Sequence, residues 1–370
     1  MEKSKKHILI LGGYGRAGIE TAKNLLKRTS LHLILAGRDA ETAQKSALDL
    51  NRVYGDDCTS GIRVDASDAE SLESAFKQCD LVAVCMPYRD NARLVLEKAL
   101  AAGIDYIDIN GDKEKHEILK ELSYPITRAH LSYLLEGGEV PGLPSALALL
   151  AGRHLDRVHK IVIGSVWKDP DMPYGSVYDI MTHLGGNNPP FVYREGVWRK
   201  VPLIAARRIH FGSPYGWKTC FPVDLHEMRG IPEIMGVDHI GVYQAGINWF
   251  VDSLALIWSV LGLGKGEKAL QKGIRLFLRG NKLFTRKPFG MAVALDAVGV
   301  KGNERKKLSV RLSHNDLYTA TGIVLAAFIF QMIDGTIKRP GVYFAGHAAD
   351  GDRLLQDCND MGMGLTMSMD

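Results

Sequence analysis

A run of closely spaced glycines near the N-terminus has the pattern of a phosphate-binding turn. The segment Gly12 to Gly18 contains G-x-G-x-x-G beginning at Gly13. Glycines at this spacing permit a tight turn and let the backbone approach a pyrophosphate closely. The residues predicted to bind a dinucleotide here are Gly13, Tyr14, Gly15, Arg16, Ala17 and Gly18.

The elements that must position this turn are a buried strand before it and a helix after it. His7–Leu11 is a nearly continuous apolar run of strand length, and apolar residues recur at helical spacing between Ile19 and Leu26. A helix that starts directly after the turn directs its free N–H groups and the positive end of its dipole at bound phosphates. The motif in this context predicts dinucleotide binding, with a purely structural glycine turn as the alternative.

The end of the second predicted strand distinguishes between the two nicotinamide dinucleotides. That strand, Leu31 to Ala36, ends in Gly37-Arg38-Asp39, with no acidic residue at its tip to bind the ribose hydroxyls of NAD. An arginine guanidinium pairs bidentately with a phosphate such as the 2′-phosphate of NADP. We therefore expect NADP rather than NAD, bound in part by Arg38. Alternatively, Arg38 is a solvated turn residue and Asp39 the N-cap of a helix over 40–50.

Strands and helices continue to alternate through the first 125 residues. The sequence predicts a third strand closing at Val64–Asp65, a fourth over Leu81–Pro87 and a fifth over Tyr106–Asn110. This alternation specifies a doubly wound parallel sheet, whose ligands bind beyond the carboxyl ends of the strands. The further residues expected at the cofactor are therefore Asp65, Ala66, Met86, Pro87, Tyr88 and Asn110.

Several segments together resemble the saccharopine dehydrogenase (saccharopine reductase) group of NADP-binding oxidoreductases. They are 12–18, 35–38, 79–88, 102–110, 140–143 and 335–342. The resemblance implies an α/β architecture of three parts. These are a Rossmann domain over 1–125, a mixed α/β substrate and dimerisation domain over 126–315, and a return helix and tail over 316–370 that pack on the first domain. A homodimer is the oligomer that this resemblance implies.

The same resemblance implies hydride transfer between NADPH and an imine of an amino-acid or polyamine type of small-molecule substrate. Reduction of an enoyl or carbonyl bond in an apolar acyl or polyketide substrate is an alternative, because trans-acting enoyl reductases are among the relatives. A non-catalytic NADP-binding protein is a third possibility. Amino-acid substrates need cationic side chains to bind their carboxylates, and the available residues are Arg194, Arg199, Arg207 and Arg208.

Reduction of a carbonyl or enoyl group requires a proton donor, whereas an imine substrate arrives protonated. Tyr88 and Asp112 are candidates at the predicted cofactor edge. In the second domain Pro222 is predicted to start a new element that carries Asp224 and His226, and a histidine can act as an acid near neutral pH. We predict Tyr88, Asp224 and His226 as catalytic residues. The alternative for the last two is a helix N-terminus with its usual acidic residues.

Composition restricts the other classes of protein. The 370 residues are 46% hydrophobic and 24% charged with a net charge of +4, which predicts a globular chain of two domains. Five cysteines without a CxxC pair, and histidines without ligand spacing, predict neither a disulfide framework nor a metal site. The first apolar stretch is too short for a secretory signal, which predicts a cytoplasmic protein. The segment Gly264 to Arg311 contains thirteen Lys or Arg residues but no known nucleic-acid-binding motif, so no nucleic-acid partner is predicted.

Two consecutive helical patterns stand out in the second half of the chain. Trp249–Leu261 is apolar almost throughout and is predicted to be a core or dimer helix, or the wall of a site for a long apolar substrate. The segment 266–281 predicts an amphipathic helix. Its cationic stripe consists of Lys268, Lys272, Arg275 and Arg279. Its opposite, apolar side consists of Leu270, Ile274, Phe277 and Leu278. Such a helix either leaves a solvated stripe or contacts an anionic membrane or an acidic carrier protein.

Overall fold

Two units make up the chain in the computed structural model, which describes residues 6–87, 89–185, 189–202, 204–261, 263, 266–337 and 339–370. The first unit comprises Met1–Ala146 and Thr321–Met361, and the second comprises Leu147–Ala320 and Gly362–Asp370. Each unit is built on its own β-sheet.

Seven strands form the sheet of the first unit: β1 (His7–Leu11), β2 (His32–Gly37), β3 (Thr59–Arg63), β4 (Leu81–Val84), β5 (Asp105–Asp108), β6 (Ser132–Leu135) and β15 (Gly341–Phe344). Their order is β15-β6-β5-β4-β1-β2-β3, and each neighbouring pair is parallel. The strand order reverses between β1 and β4, where a doubly wound sheet opens a crevice for ligands. The predicted parallel Rossmann sheet is confirmed.

Helices of the first unit are α1 (Arg16–Leu26), α2 (Ala40–Tyr54), α3 (Ala69–Phe76), α4 (Ala92–Ala102), α5 (Lys113–Arg128), α12 (Ala345–Ala348) and α13 (Gly351–Asp360), with a 3-10 turn at Arg89–Asn91. The side chains of Ile8, Leu9, Ile10 and Leu11 are fully buried, as expected for a strand covered on both faces. The ring of Tyr106 in β5 stacks on that of Tyr133 in β6, with centroids 5.1 Å apart. These apolar contacts form the core beneath the carboxyl edge of the sheet.

Two helices cross the division between the units, α6 (Leu143–His154) and α11 (Leu317–Ile333). Within the first unit α11 approaches α1 closely, because a Cβ at Gly322 would lie 2.7 Å from the backbone nitrogen of Thr21. This contact agrees with a return helix on the first domain.

The boundaries of the units differ from the predicted ones. Residue 125 lies inside α5, and β6 pairs with β5, so the first unit continues to Ala146. Residues 362–370 belong to the second unit rather than to the first, since β16 (Gly364–Met369) pairs with β14 (Glu304–His314). Pairing of β16 satisfies backbone groups along β14 that would otherwise form an open edge.

The second unit has a mixed sheet whose remaining strands are β7 (Arg157–Lys168), β8 (Phe191–Arg194), β9 (Val197–Lys200), β10 (Arg207–His210), β11 (Trp217–Pro222), β12 (His239–Ala245) and β13 (Gly290–Lys301). The main order is β10-β11-β12-β7-β13-β14-β16, with β8 pairing with both β12 and β9. Its helices are α7 (Tyr174–Gly185), α8 (Ile231–Met235), α9 (Trp249–Leu261) and α10 (Glu267–Phe284).

Pro222 ends β11, whereas the sequence predicted that it starts an element, and a 3-10 turn at His226–Met228 follows after three residues. The reason is that Pro222 is in register with Tyr243 of β12, so the ladder continues to this residue. Among the described residues, no helix is both long and apolar enough to cross a membrane.

Candidate active site

The three glycines of the motif have different structural roles. A Cβ at Gly13 would lie 2.8 Å from the carbonyl oxygen of Ile10, and a Cβ at Gly18 would clash with that of Gly12. These two glycines therefore permit the close packing of β1, the turn and α1. A Cβ at Gly15 would meet only the oxygen of Gly12, at 3.1 Å, and otherwise points into open space. Gly15 is thus the position where the backbone leaves room for a ligand.

The N-terminus of α1 is suited to binding an anion. Asp39, Asp68 and Asp112 each cap the helix that follows them with a side-chain oxygen. At α1 the N-cap is Gly15, which offers no side-chain hydrogen bond, and the first turn contains no acidic residue. Arg16 is exposed and Ala17 is buried in this turn. The first N–H groups of α1 can therefore donate to a pyrophosphate.

Tyr14 covers the end of β2. A Cβ at Gly37 would lie 2.5 Å from the Tyr14 ring, so the ring packs directly on this glycine. The backbone N–H of Asp39 donates to the Tyr14 hydroxyl at 3.1 Å, which ties the glycine turn to the start of α2. Because Gly37 has no side chain, the Tyr14 ring can pack directly on the end of β2.

Two arginines flank the tip of β2. Arg38 is exposed directly after the strand, and Arg63 at the end of β3 is in register with Gly37. Asp65 is half-buried, and hydrogen bonds from Ser67, with smaller contributions from Arg63 and Arg38, lower the pKa of its carboxyl. Ala66, the next residue, is buried. Sequence reasoning missed Arg63, although a cation at the end of the third strand was a visible signal.

These observations fit NADP. The open side of Gly15 and the uncapped start of α1 would hold the pyrophosphate, and the cations Arg38 and Arg63 would hold the 2′-phosphate. When bound, the nicotinamide supplies or accepts the hydride.

The next part of the edge is formed by the loops after β4 and β5. Met86 is half-buried and Pro87 exposed, and the side-chain amide of Asn110 donates to the carbonyl of Met86 at 3.2 Å. This bond joins the two loops that were predicted to reach the cofactor. Tyr88, predicted both as a cofactor contact and as a catalytic residue, lies outside the described residues. Asp112 caps α5 by accepting from the N–H of Glu114 at 3.0 Å.

A buried ion pair organises this edge. Lys115 and Asp108 are both fully buried, and the lysine Nζ lies 2.6 Å and 2.8 Å from the two carboxylate oxygens. Lys115 also donates to the carbonyl of Asn110, and the Tyr106 hydroxyl donates to Asp108 at 2.6 Å. Sequence reasoning missed both partners of this ion pair. An acidic residue inside an apolar strand was the one signal, because Lys115 resembles any other lysine of an amphipathic helix.

Further polar side chains are buried at the end of β6. Nε2 of His116 lies 2.9 Å from Oε1 of Glu136, and both side chains are almost inaccessible to solvent. Burial, assisted by the neighbouring Lys115, lowers the pKa of His116 to about 4 and keeps its imidazole neutral. Glu139 is also buried. The backbone N–H of Gly137 donates to the carbonyl of Asp108 at 2.6 Å, so this loop is held at the carboxyl end of β5.

Asp224 and His226, predicted as catalytic, lie in the second unit. Arg229 donates to Asp224 at 2.6 Å, and its guanidinium stacks 4.5 Å from the ring centres of both Phe191 and Trp198. An aspartate paired in this way orients an arginine within an aromatic cluster. His226 begins the 3-10 turn and is half-buried. Catalytic roles for both residues stay predictions.

Four arginines are available to bind a substrate carboxylate, and two of them, Arg194 and Arg207, lie near His239. His239 of β12 is in register with both Lys160 of β7 and Arg194 of β8. Burial, with Lys160, Arg194 and Arg207, lowers the pKa of His239 to about 4. By contrast Arg199 pairs with Glu195 at 3.3 Å, and Arg208 lies over the ring of Trp217. Arg207 in turn lies over the ring of Tyr243, so these contacts do not single out one of the four arginines for a substrate carboxylate.

The Rossmann sheet, the glycine turn and the arginines at β2 and β3 define the class: an NAD(P)-dependent oxidoreductase. Residues 8–130 match the family model described as the saccharopine dehydrogenase NADP binding domain. Over these residues the chain is similar to the NADP-binding domain of that family, in agreement with the resemblance of its sequence motifs.

Two solved structures are similar to this chain. Saccharopine dehydrogenase (L-Glu forming) from Saccharomyces cerevisiae is similar with a TM-score of 0.69 at 14% identity, over 98% of this chain and 100% of that one. A myo-inositol dehydrogenase from Corynebacterium glutamicum is similar with a TM-score of 0.48 at 15% identity, over 98% of both chains. The first of these likenesses supports the fold over the whole chain.

Proposed function

We propose that the protein transfers a hydride between NADPH and a C=N bond, with an imine of an amino acid or a polyamine as substrate. The observation that carries the proposal is the pair of buried acidic side chains, Glu136 and Glu139, in the loop after β6. The yeast saccharopine dehydrogenase named above has the same fold.

The charge of this edge favours a cationic electrophile. A carboxylate stabilises a protonated imine through Coulomb attraction, which is strong where water is excluded. Reduction of a carbonyl would instead build a negative oxygen close to the same carboxylates, which raises its barrier. In their ionised form, Glu136 and Glu139 therefore favour an iminium over an alkoxide.

The other residues of the edge hold this arrangement in place. The N–H of Glu136 donates to Asp108 at 3.3 Å, so the Asp108–Lys115 ion pair fixes the start of the loop. Nε2 of His116 lies 2.9 Å from Oε1 of Glu136, and this contact orients the carboxyl group of the loop. Since a protonated imine brings its own proton, this chemistry does not depend on a separate acid.

The direct test is a screen for consumption of NADPH by pairs of amines and 2-oxo acids. We expect oxidation of NADPH only when both partners are present, with transfer of deuterium from cofactor labelled at C4 into the new C–N carbon, detected by mass spectrometry. Consumption with enoyl thioesters and with no amine pair would replace the proposed substrate by an apolar acyl compound.

Variants of the loop test the role of its charge. Glu136→Gln and Glu139→Gln each replace a carboxyl group by a neutral amide of nearly the same shape, and we expect a loss of about tenfold to a hundredfold in kcat. Glu114→Gln, an exposed position on α5, is the matched control. Unchanged kcat in both loop variants contradicts the electrostatic argument.

His226→Asn in the same assay tests the predicted acid of the second unit. The homodimer and the cytoplasmic location also stay predictions.

A further inference from the structure

Helices α9 and α10 form an antiparallel hairpin on the second unit. Trp258 of α9 packs on Gly273 of α10, where a Cβ would lie 2.5 Å from the indole ring. Phe250, earlier in α9, packs on Gly280, later in α10, and the rings of Trp249 and Phe284 lie 4.9 Å apart. The two glycines bring the helices close together and fix which side of each one faces outward.

The outward face of α9 is apolar. Val251 and Trp258 mark its buried side. On the opposite side four large apolar residues lie within an arc of about 140° at 100° per residue. They are Trp249, Leu256, Ile257 and Leu261, with exposed fractions of 66%, 47%, 52% and 64%. Among the described residues of this face only Ser253 has an exposed polar side chain.

The outward face of α10 continues this apolar surface and adds charge. Leu276 and Leu283 are exposed, the latter by 63%, and lie on the flank of α10 next to Gly273 and Gly280, beside α9. Directly opposite the buried side of α10 is the predicted cationic stripe, Lys268, Lys272, Arg275 and Arg279, all exposed. No carboxylate of the described residues forms an ion pair with these four cations.

We propose that the α9–α10 hairpin binds the surface of an anionic lipid bilayer, with the apolar face of α9 and the flank of α10 inserted among the headgroups and acyl chains. The cationic stripe would then lie at the level of the lipid phosphates. Interfacial helices combine these features: large apolar side chains, tryptophan among them, on one face and Lys or Arg beside it. The association is peripheral, and it is separate from the NADP chemistry of the first unit.

The charge distribution favours a bilayer over two other occupants. In a two-fold contact between copies of this chain through the hairpin, the same cationic stripe of each copy would border the contact, and like charges repel. An acidic protein would pair with the cations but gives no reason for exposed Trp249, Ile257 and Leu261 next to them. A bilayer with anionic headgroups satisfies both features of the surface at once.

The test is co-sedimentation of the full chain with vesicles of phosphatidylcholine containing about one third phosphatidylserine, at low and at about 0.5 M salt. We expect binding at low salt, at least tenfold weaker binding to phosphatidylcholine alone, and release of most of the protein at high salt. Lys268→Glu, Lys272→Glu, Arg275→Glu and Arg279→Glu together should abolish binding. Lys301→Glu with Arg305→Glu, at an exposed hairpin of the same unit, is a control that should retain it.

Tryptophan fluorescence gives a second readout that does not depend on pelleting. Insertion of Trp249 should shift the emission to shorter wavelength when vesicles are added, and Trp249→Phe should lose the shift while still binding. Absence of binding at low salt, or equal binding by the four-glutamate variant with an unchanged circular dichroism spectrum, overturns the proposal. A change from dimer to monomer in Leu256→Ser with Leu261→Ser, without vesicle binding by the wild type, would assign the face to self-association instead.

Discussion

Gly37 at the end of β2 and Arg63 at the end of β3 are paired residues of two parallel strands. The glycine leaves space for the ring of Tyr14, and the arginine carries a cation to the same strand tip from which Arg38 extends. One residue pair thus combines the packing of the glycine turn with a positive charge at the position that distinguishes NADP from NAD.

We predict that both arginines contribute to the preference for NADP. Arg38→Ala and Arg63→Ala should each weaken NADPH binding by on the order of 1–3 kcal/mol, because a charge-assisted contact to the 2′-phosphate is lost. Affinity for NADH should change little. Isothermal titration with both cofactors measures this, and Arg52→Ala on the exposed side of α2 is the control. Equal affinity of the wild type for NADPH and NADH would contradict the assignment of the tip.

Gly15 and Gly18 should respond differently to substitution. Gly15→Val should abolish binding of both dinucleotides in a folded protein, since its side chain occupies space left for the pyrophosphate and meets little else. Gly18→Ala should instead lower the free energy of unfolding by about 1–3 kcal/mol, because its Cβ overpacks against Gly12 and Gly13. Calorimetric titration and urea unfolding separate the two effects. Retained binding by Gly15→Val would mean that the turn is structural only.

Removing one partner of the Asp108–Lys115 ion pair should lower the free energy of unfolding substantially. Lys115→Met leaves a buried carboxylate without its cation, and we expect a loss of about 3–5 kcal/mol in the free energy of unfolding. Asp108→Asn combined with Lys115→Met should recover part of this loss, since neither charge remains. Lys77→Met, which breaks an exposed pair with Glu73, should cost less than about 1 kcal/mol. Urea denaturation of the four proteins is the measurement, and equal losses for Lys115→Met and Lys77→Met would refute the structural role.

His239 should make the protein less stable in acid. Its pKa of about 4 in the folded state lies below the ordinary value of 6.5, so between these pH values the unfolded chain binds more protons. Stability therefore falls as the pH decreases from about 6.5 to 4 and does not depend on this residue above about pH 7. Between pH 7 and pH 5 we expect the free energy of unfolding of His239→Gln to fall by less than that of the wild type, with a difference on the order of 1 kcal/mol. Parallel pH dependence of wild type and variant in urea unfolding would show that His239 does not titrate in this range.

Local patterns in the sequence predicted the elements that form the nucleotide-binding half of the site, apart from Arg63. Buried strands, the glycine turn and the arginine after β2 are all encoded within a few neighbouring residues, since strand burial, turn geometry and helix capping depend on local spacing. The amphipathic pattern of α10 was likewise visible, and its cationic stripe is exposed as the spacing predicted. The division at residue 125 was misplaced because β6 continues the sheet beyond α5.

Only the tertiary structure determined the contacts between residues that are distant in sequence. Arg63 joins Arg38 through strand pairing, and Glu136 meets His116 because β6 lies beside β5 in the sheet. Arg194 and Arg207 approach His239 from other strands, whereas Arg199 is occupied by a nearby glutamate. The tail pairs with β14 instead of the first unit. Sequence periodicity determines which face of an element is buried, but the partner of that face depends on the packing of the whole chain.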